Sequence, residues 1–259
     1  MNSTVKIATW NLERPWKNGR RIRAGLQIEQ IQSVGADIWV LTETWDRIKI
    51  PGYRCVSTPS SLGPYEASES AVAIWVPEAW DLRSLEVTTT TLCAEVLRSP
   101  GEMPLLVYGT IITWHGAPGA KNWVKHLAEV DRQTADWVRL RGEYPDHLLV
   151  VAGDFNMTLP TDKGYGHPEG RRQVRERLAA AGMTCLTEFD IRDPSHGGLD
   201  RDNIDHICVD QRFQTTESPR AFAGSNAEGQ RLSDHNGMLV EVSTSSSQEQ
   251  RKYPKGEKG

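Results

Sequence analysis

Leu148–Asn156, LLVVAGDFN, sets four large apolar residues directly against Ala152-Gly153-Asp154-Phe155-Asn156. A short unbroken apolar run of this kind reads as a strand buried on both faces. Gly153 marks a place where the backbone turns or lets another segment come close. Asp154 and Asn156 follow at i and i+2, so a backbone that stays extended would point both side chains the same way. A carboxylate and an amide would then stand together at the carboxyl end of a buried strand, where open α/β sheets hold their ligands. Asp and Asn are also ordinary turn residues, so the segment taken alone fits a polar turn equally well.

The flanking sequence repeats the pattern. Val5–Leu12 reads as a strand that delivers Asn11, with Glu13 two residues on and Pro15 ending it. Arg20–Val34 has helical apolar spacing and stops at Gly35. Asp37–Thr42, DIWVLT, is the next buried strand and ends at Glu43. Ile48–Ser68, rich in Pro, Gly and Ser, reads as loop, and Ser70–Val76 as a strand preceded by Glu69. Leu82–Val87, Thr91–Leu97 and Leu105–Thr113 read as further strands, the last running into Trp114-His115-Gly116. Lys121–Arg141 is the longest predicted helix, with Trp123, Leu127, Val130, Thr134 and Trp137 on one stripe, a spacing that reads as core. Gly170–Ala181 is another helix; Ile204–Val209 is a strand carrying Asp205; Asp234-His235 precede a closing strand, Gly237–Val242. Thr244–Gly259 is polar and low in complexity and reads as a disordered tail, which leaves residues 1–243 as one expected domain.

The 259 residues carry 38% hydrophobic and 25% charged residues with a net charge of −4, the profile of a globular chain without a global positive field. A polyanion would therefore need a local basic patch or a bound metal. Cys55, Cys93, Cys185 and Cys208 are far apart and form no CxxC pair, which argues against a zinc site. MNSTVKIATW lacks the apolar core of a signal peptide and no run is long enough to span a membrane, so the expected location is the cytoplasm. No protein partner can be inferred.

Polar residues able to bind metal or move protons thus recur at one end of otherwise buried strands: Asn11, Glu43, His115, Asp154 with Asn156, Asp205, and Asp234-His235. In their order TWN, LTE, TWHG, AGDFN, IDHI and SDH, spread over residues 9–235, the chain resembles the endonuclease/exonuclease/phosphatase superfamily of DNase I-like, metal-dependent phosphoesterases. The resemblance implies an α/β fold, a four-layer α/β/β/α sandwich of two mostly antiparallel sheets with helices outside. It implies Mg²⁺, with Mn²⁺ as the second choice, on Glu43, Asn11 and Asp234, a hard cation on oxygen donors. Asp154 would orient or deprotonate water, Asn156 would donate to a phosphate oxygen, and His235, fixed by Asp205, would transfer a proton. His115 would be a second histidine on the phosphate or leaving group, with Glu69 as its expected partner, and Glu13 an outer-sphere ligand or a surface carboxylate.

Substrate is less legible. TWHG and NIDHI depart from the tyrosine-bearing segment and the RIDY-like motif typical of the abasic-site branch. Arg47, Lys49, Arg54, Lys163, Arg171, Arg172 and Arg201 lie near the predicted loops and could meet nucleic acid or simply face solvent. The expected activity is phosphodiester hydrolysis, first as a nuclease. The alternatives are a phosphatase or phosphodiesterase acting on a small-molecule or lipid phosphoester, and a non-catalytic binding module on the same fold.

Overall fold

The structure, a computed structural model, describes residues 3–15, 21–60, 68–117, 123–160 and 164–244. Its strands are β1 (Ser3–Asn11), β2 (Ile38–Trp45), β3 (Tyr53–Ser57), β4 (Glu69–Pro77), β5 (Asp81–Val87), β6 (Thr91–Leu97), β7 (Leu105–Ile111), β8 (Leu148–Asp154), β9 (Met183–Cys185), β10 (Asp205–Asp210), β11 (Phe213–Phe222) and β12 (Gly237–Thr244). The helices are α1 (Arg21–Val34), α2 (Val124–Glu143) and α3 (Pro168–Ala180).

Two six-stranded mixed sheets result, ordered β11-β12-β1-β2-β4-β3 and β5-β6-β7-β8-β10-β9. Near the middle of each lies one parallel pair joined through a helix: β1 with β2 across α1, and β7 with β8 across α2. A parallel pair needs such a crossover, whereas neighbours in an antiparallel pair connect by turns. The other described pairs are antiparallel, as the resemblance implies.

Three apolar clusters separate the four layers. Val5, Ile7, Val40, Val72 and Ile74 of one sheet meet Ala94, Val107, Val150, Ala152 and Ile207 of the other. Trp10, Trp39 and Leu41 pack outward with Ala24 and Ile31 of α1. Leu149, Val151 and Cys208 pack outward with Val130 and Trp137 of α2 and Val174 and Leu178 of α3. The central strands are covered on both faces, which is why LLVVA is apolar without alternation.

Several expectations are corrected. The segment read as loop at 48–68 contains β3, and β9 and β11 were not expected. β3 and β11 alternate weakly between half-buried and exposed positions, and β9 is three residues long, so none carries a continuous apolar signal. β2 continues past Glu43 to Trp45. Trp123 is no core member of α2 but its left-handed N-terminal cap, φ 67°. Thr244 still belongs to β12, paired with Ser3, so the predicted tail begins after it and 245–259 lie outside the described residues.

Gly109 of β7 lets the sheets approach: a Cβ there would lie 2.5 Å from Val72 Cγ1 and 3.1 Å from Val40 Cγ1. Gly109→Ala overpacks this contact and should lower unfolding stability by about 1–3 kcal/mol. A fall in the urea midpoint with an unchanged m-value would show it; an unchanged midpoint would contradict the close approach.

Candidate active site

The topology brings the carboxyl ends of the parallel strands and the amino ends of their antiparallel neighbours to one rim. Asn11 ends β1 beside Thr42 of β2, and Asp205 opens β10 directly opposite Asp154 at the end of β8. Glu69 opens β4 opposite Trp45. Ser233-Asp234-His235 lead into β12, the other neighbour of β1.

Asp154 is the centre of this cluster. It is buried, and its carboxylate accepts from Asn156 N at 2.8 Å, Asn156 Nδ2 at 3.1 Å and Asn11 Nδ2 at 3.1 Å. The last of these crosses between the sheets. Asn156 stands beside Asp154 as expected, but not through an extended backbone. Its φ is 49°, and the chain folds back in a turn closed by the Asp154 carboxylate, with Asn156 Nδ2 also donating to Ile112 O at 2.9 Å. Burial pushes the Asp154 carboxyl up to about 7, against the pull of the His235 charge and with the help of Asp205.

His235 Nδ1 lies 2.5 Å from Asp205 Oδ2. Ser233 Oγ fixes this segment by accepting from His235 N at 3.0 Å and donating to Asn11 O at 2.6 Å; Trp10 Nε1 donates to His235 O at 3.0 Å. Burial alone would lower the His235 imidazole, but the carboxylates of Asp205, Asp154 and Asp234 outweigh it and hold it up at about 10. The ring is then an imidazolium that donates from Nδ1 to Asp205. Ligand atoms of Asp154, Asp205 and His235 lie within 4.8 Å of one another. Asp205 and His235 already bond each other, so the geometry reads as an oriented histidine facing a carboxylate rather than as a cation cage.

On the other side of Asp154, the Asn11 amide also donates to Glu43. Burial raises the Glu43 carboxyl above its ordinary value, with Arg14, His235 and Asn11 opposing the rise. Arg14 Nε lies 3.8 Å from Glu43 and its Nη1 3.7 Å from Glu69. Asn11 Oδ1 accepts from Glu13 N at 2.8 Å. Asp234 is close enough to act on both Glu43 and His235, while its own carboxylate lies 3.8 Å from Arg231. Glu13 is gripped by Arg23 and Arg231, each at 2.8 Å, and so acts as a clamp on the loops around Asn11. The carboxylate oxygens of Glu43 and Asp234 suit a hard divalent cation, while Asn11 turns its Nδ2 to Glu43 and Asp154 and its Oδ1 to Glu13 N.

His115 is exposed beyond β7 and does not pair with Glu69. Its Nδ1 meets Tyr165 OH at 3.1 Å, and its ring stacks on Trp123 at 4.7 Å with a 24° tilt. Tyr165 also lines a cavity of about 430 Å³ with Arg201, Asn203, Asp205, Asp234 and His235, so it links the two histidines. Sequence reading missed Tyr165. The signal was an aromatic between two glycines, Gly164 and Gly166, both at φ 112°. Arg201 donates to Asp234 O at the cavity. Arg171 is buried and donates to Tyr165 O at 2.9 Å, and Arg172 pairs with Glu169 and Glu176, so neither is a free basic contact. Lys163 lies outside the described residues. Among those residues, the non-glycine positions with positive φ are Glu13, Arg14, Glu43, Ser68, Trp123 and Asn156. Each is one of the groups just described or adjoins one, as expected where strain is held at a functional site.

His235 binds its proton more tightly folded than unfolded. The pair therefore stabilises the fold below the unfolded imidazole value, roughly 6.5, and this gain disappears as pH rises through about 10. In EDTA-treated protein, Asp205→Asn should lower the His235 value by more than about one unit by NMR titration. The stability advantage of the unaltered protein over the variant should shrink from pH 6.5 toward 10. A pH-independent difference would break the assignment.

Comparison by sequence with curated proteins finds no match. Among solved structures, the chain is similar to an endonuclease/exonuclease/phosphatase family protein from Bacteroides thetaiotaomicron (TM-score 0.67, 14% identity, 95% of this chain and 99% of that one). It is also similar to the human Nocturnin catalytic domain with bound sulfate (0.66, 14%, 95% and 97%) and to an AP endonuclease from Leishmania major (0.66, 15%, 93% and 88%). At such identity these likenesses show the fold. Residues 8–235 match the Endonuclease/Exonuclease/phosphatase family as a whole, and the chain belongs to that family.

Proposed function

We propose that this protein is a divalent-metal-dependent phosphoesterase that hydrolyses phosphodiester bonds, in the first instance as a nuclease. The observation that carries the reading is the Asp205–His235 pair facing an Asp154 carboxylate held by Asn11 and Asn156. Glu43, Asn11 and Asp234 would hold Mg²⁺, or Mn²⁺, which supplies charge to the phosphate oxygens when bound. Asp154, raised toward neutrality, takes a proton from water that its two amide neighbours help to orient. His235 presents Nε2–H to a phosphate oxygen because Asp205 holds Nδ1. His115, set by Tyr165 and Trp123, serves the phosphate or leaving group. In this reading the chain up to Thr244 acts as one domain in the cytoplasm; no described helix is long and apolar enough to cross a membrane.

The similar AP endonuclease and the exposed Arg47, just past the rim end of β2, support a nucleic acid substrate. A specific observation favours a second reading. Asp200 and Asp202 join Asp234 around the cavity, with Arg201 between them. An acidic mouth repels a long polyanion and suits a small-molecule or lipid phosphoester.

Hydrolysis of bis-p-nitrophenyl phosphate, p-nitrophenyl phosphate and supercoiled plasmid, each with Mg²⁺, Mn²⁺ or EDTA, tests these readings. Metal-dependent cleavage of diester and plasmid is expected, with a loss of about 10²–10⁴-fold in Asp154→Asn and His235→Ala. Activity on the monoester alone would favour the small-molecule reading. Silence on all three, or variants at the unaltered rate, would overturn the catalytic assignment. Tyr165→Phe should reduce kcat by about tenfold with KM little changed, since it removes a support of His115 but no proposed phosphate contact.

A further inference from the structure

Asp205 points from one face of β10 toward the candidate site; His206 and Cys208 occupy the opposite face, under the α2/α3 layer. Cys208 is paired in register with Cys185 of β9. In an antiparallel pair, hydrogen-bonded and non-hydrogen-bonded positions alternate. Leu186 N donates to Ile207 O and Gln211 N to Gly182 O, both at 2.9 Å and both in that register. Cys185 and Cys208 therefore fall at a non-hydrogen-bonded position, where the Cα atoms stand about 4.5 Å apart and the side chains are closest. That lies inside the range a disulfide spans without backbone movement, roughly 4.4–6.8 Å. Both thiols are free.

The surroundings make the two sulfurs unequal. His206 Nε2 lies 3.0 Å from Met157 O, which fixes its hydrogen there and leaves Nδ1 as the acceptor. Nδ1 lies 3.9 Å from Cys185 Sγ, and Thr187 Oγ1 lies 3.7 Å from the same sulfur. Burial opposes ionisation of Cys185, but contacts from Cys208, His206 and Thr187 draw its thiol well below the usual value, while burial and the Cys185 charge push Cys208 up. Cys185 is half-buried on the outermost strand of its sheet, whereas Cys208 is fully enclosed. Cys185 is then the attacking thiol and the fully enclosed Cys208 the resolving thiol.

We propose that Cys185 and Cys208 form an oxidisable dithiol site for a small two-electron oxidant, hydrogen peroxide being the simplest, and that it closes into a cross-strand disulfide between β9 and β10. The Cys185 thiolate attacks one peroxide oxygen, the O–O bond breaks, and the leaving hydroxide takes a proton to become water. The sulfur of Cys208 then attacks the Cys185 sulfenic acid. The S–O bond breaks, the S–S bond forms, and hydroxide leaves with the Cys208 proton as a second water. Two thiols are oxidised by two electrons in all, and one peroxide is reduced to two waters. His206 accepts the Cys185 proton and returns it.

The test uses the full chain, reduced, desalted and exposed to hydrogen peroxide, then read by intact mass and by peptide mapping after alkylation. The expected mass falls by two hydrogen atoms, reversibly with dithiothreitol, and one linked peptide pair contains residues 185 and 208. Titratable thiols in denaturant fall from four to two. Cys55→Ser keeps this behaviour; Cys185→Ser and, as a second variant, Cys208→Ala abolish it. Three results overturn the proposal: a disulfide involving Cys55, Cys185 arrested as sulfinic acid with Cys208 still reduced, or Cys185 and Cys208 both remaining free thiols under peroxide that oxidises exposed Cys55.

Discussion

A buried carboxylate held at the meeting of two sheets is the constraint on which the rest of this molecule depends. Asp154 ends a strand of one sheet and accepts from Asn11, which ends a strand of the other. A carboxylate removed from water is costly unless its oxygens are hydrogen-bonded. Here three donors meet it, and the backbone of Asn156 adopts φ 49° to supply two of them. The register of β1 against β2 and of β8 against β10 therefore has a chemical consequence: a one-residue slip would turn Asn11, Asp154 and Asp205 to the wrong faces. The continuous apolar filling between the sheets specifies that register.

Around this point the loops are fastened by polar contacts. Gln27 of α1 donates to Leu12 O and Leu232 O, tying the loop after β1 to the loop before β12. Arg23 and Arg231 hold Glu13, and Arg171 holds the Tyr165 backbone. His206 performs the same service for the segment after Asn156 by contacting Met157 O. Such interior contacts leave few alternative positions for the side chains that line the cavity, and preorganisation of that kind is what electrostatic stabilisation of a developing charge requires.

Much of this was legible in the chain. Asn11, Glu43, Asp154, Asp205 and His235 each interrupt or bound an apolar strand, and polar groups in that setting are conspicuous because burial makes them expensive. Tyr165 and Trp123 were not legible as site residues, because they come from a loop and a helix cap whose direction no local period encodes, and Arg201 was legible only as one basic residue among several near the loops. The expected Glu69–His115 pair illustrates the limit. Both side chains sit near predicted strand ends, yet they belong to different sheets, and Arg14 meets one while Tyr165 meets the other. β3, β9 and β11 escaped for a related reason: all three are outermost strands, β3 and β11 with little buried surface and β9 only three residues long.

The sequence by itself determined the layered α/β character, the central strands and the kind of chemistry at their ends, since these follow from hydrophobic period and from where polar residues break it. Only the tertiary structure decided which ends meet. It placed Asn11 on Asp154, Asp205 on His235 and Cys185 against Cys208. Pairing between strands distant in the chain depends on how whole sheets pack and register, and that information is spread over the core rather than written beside any one residue.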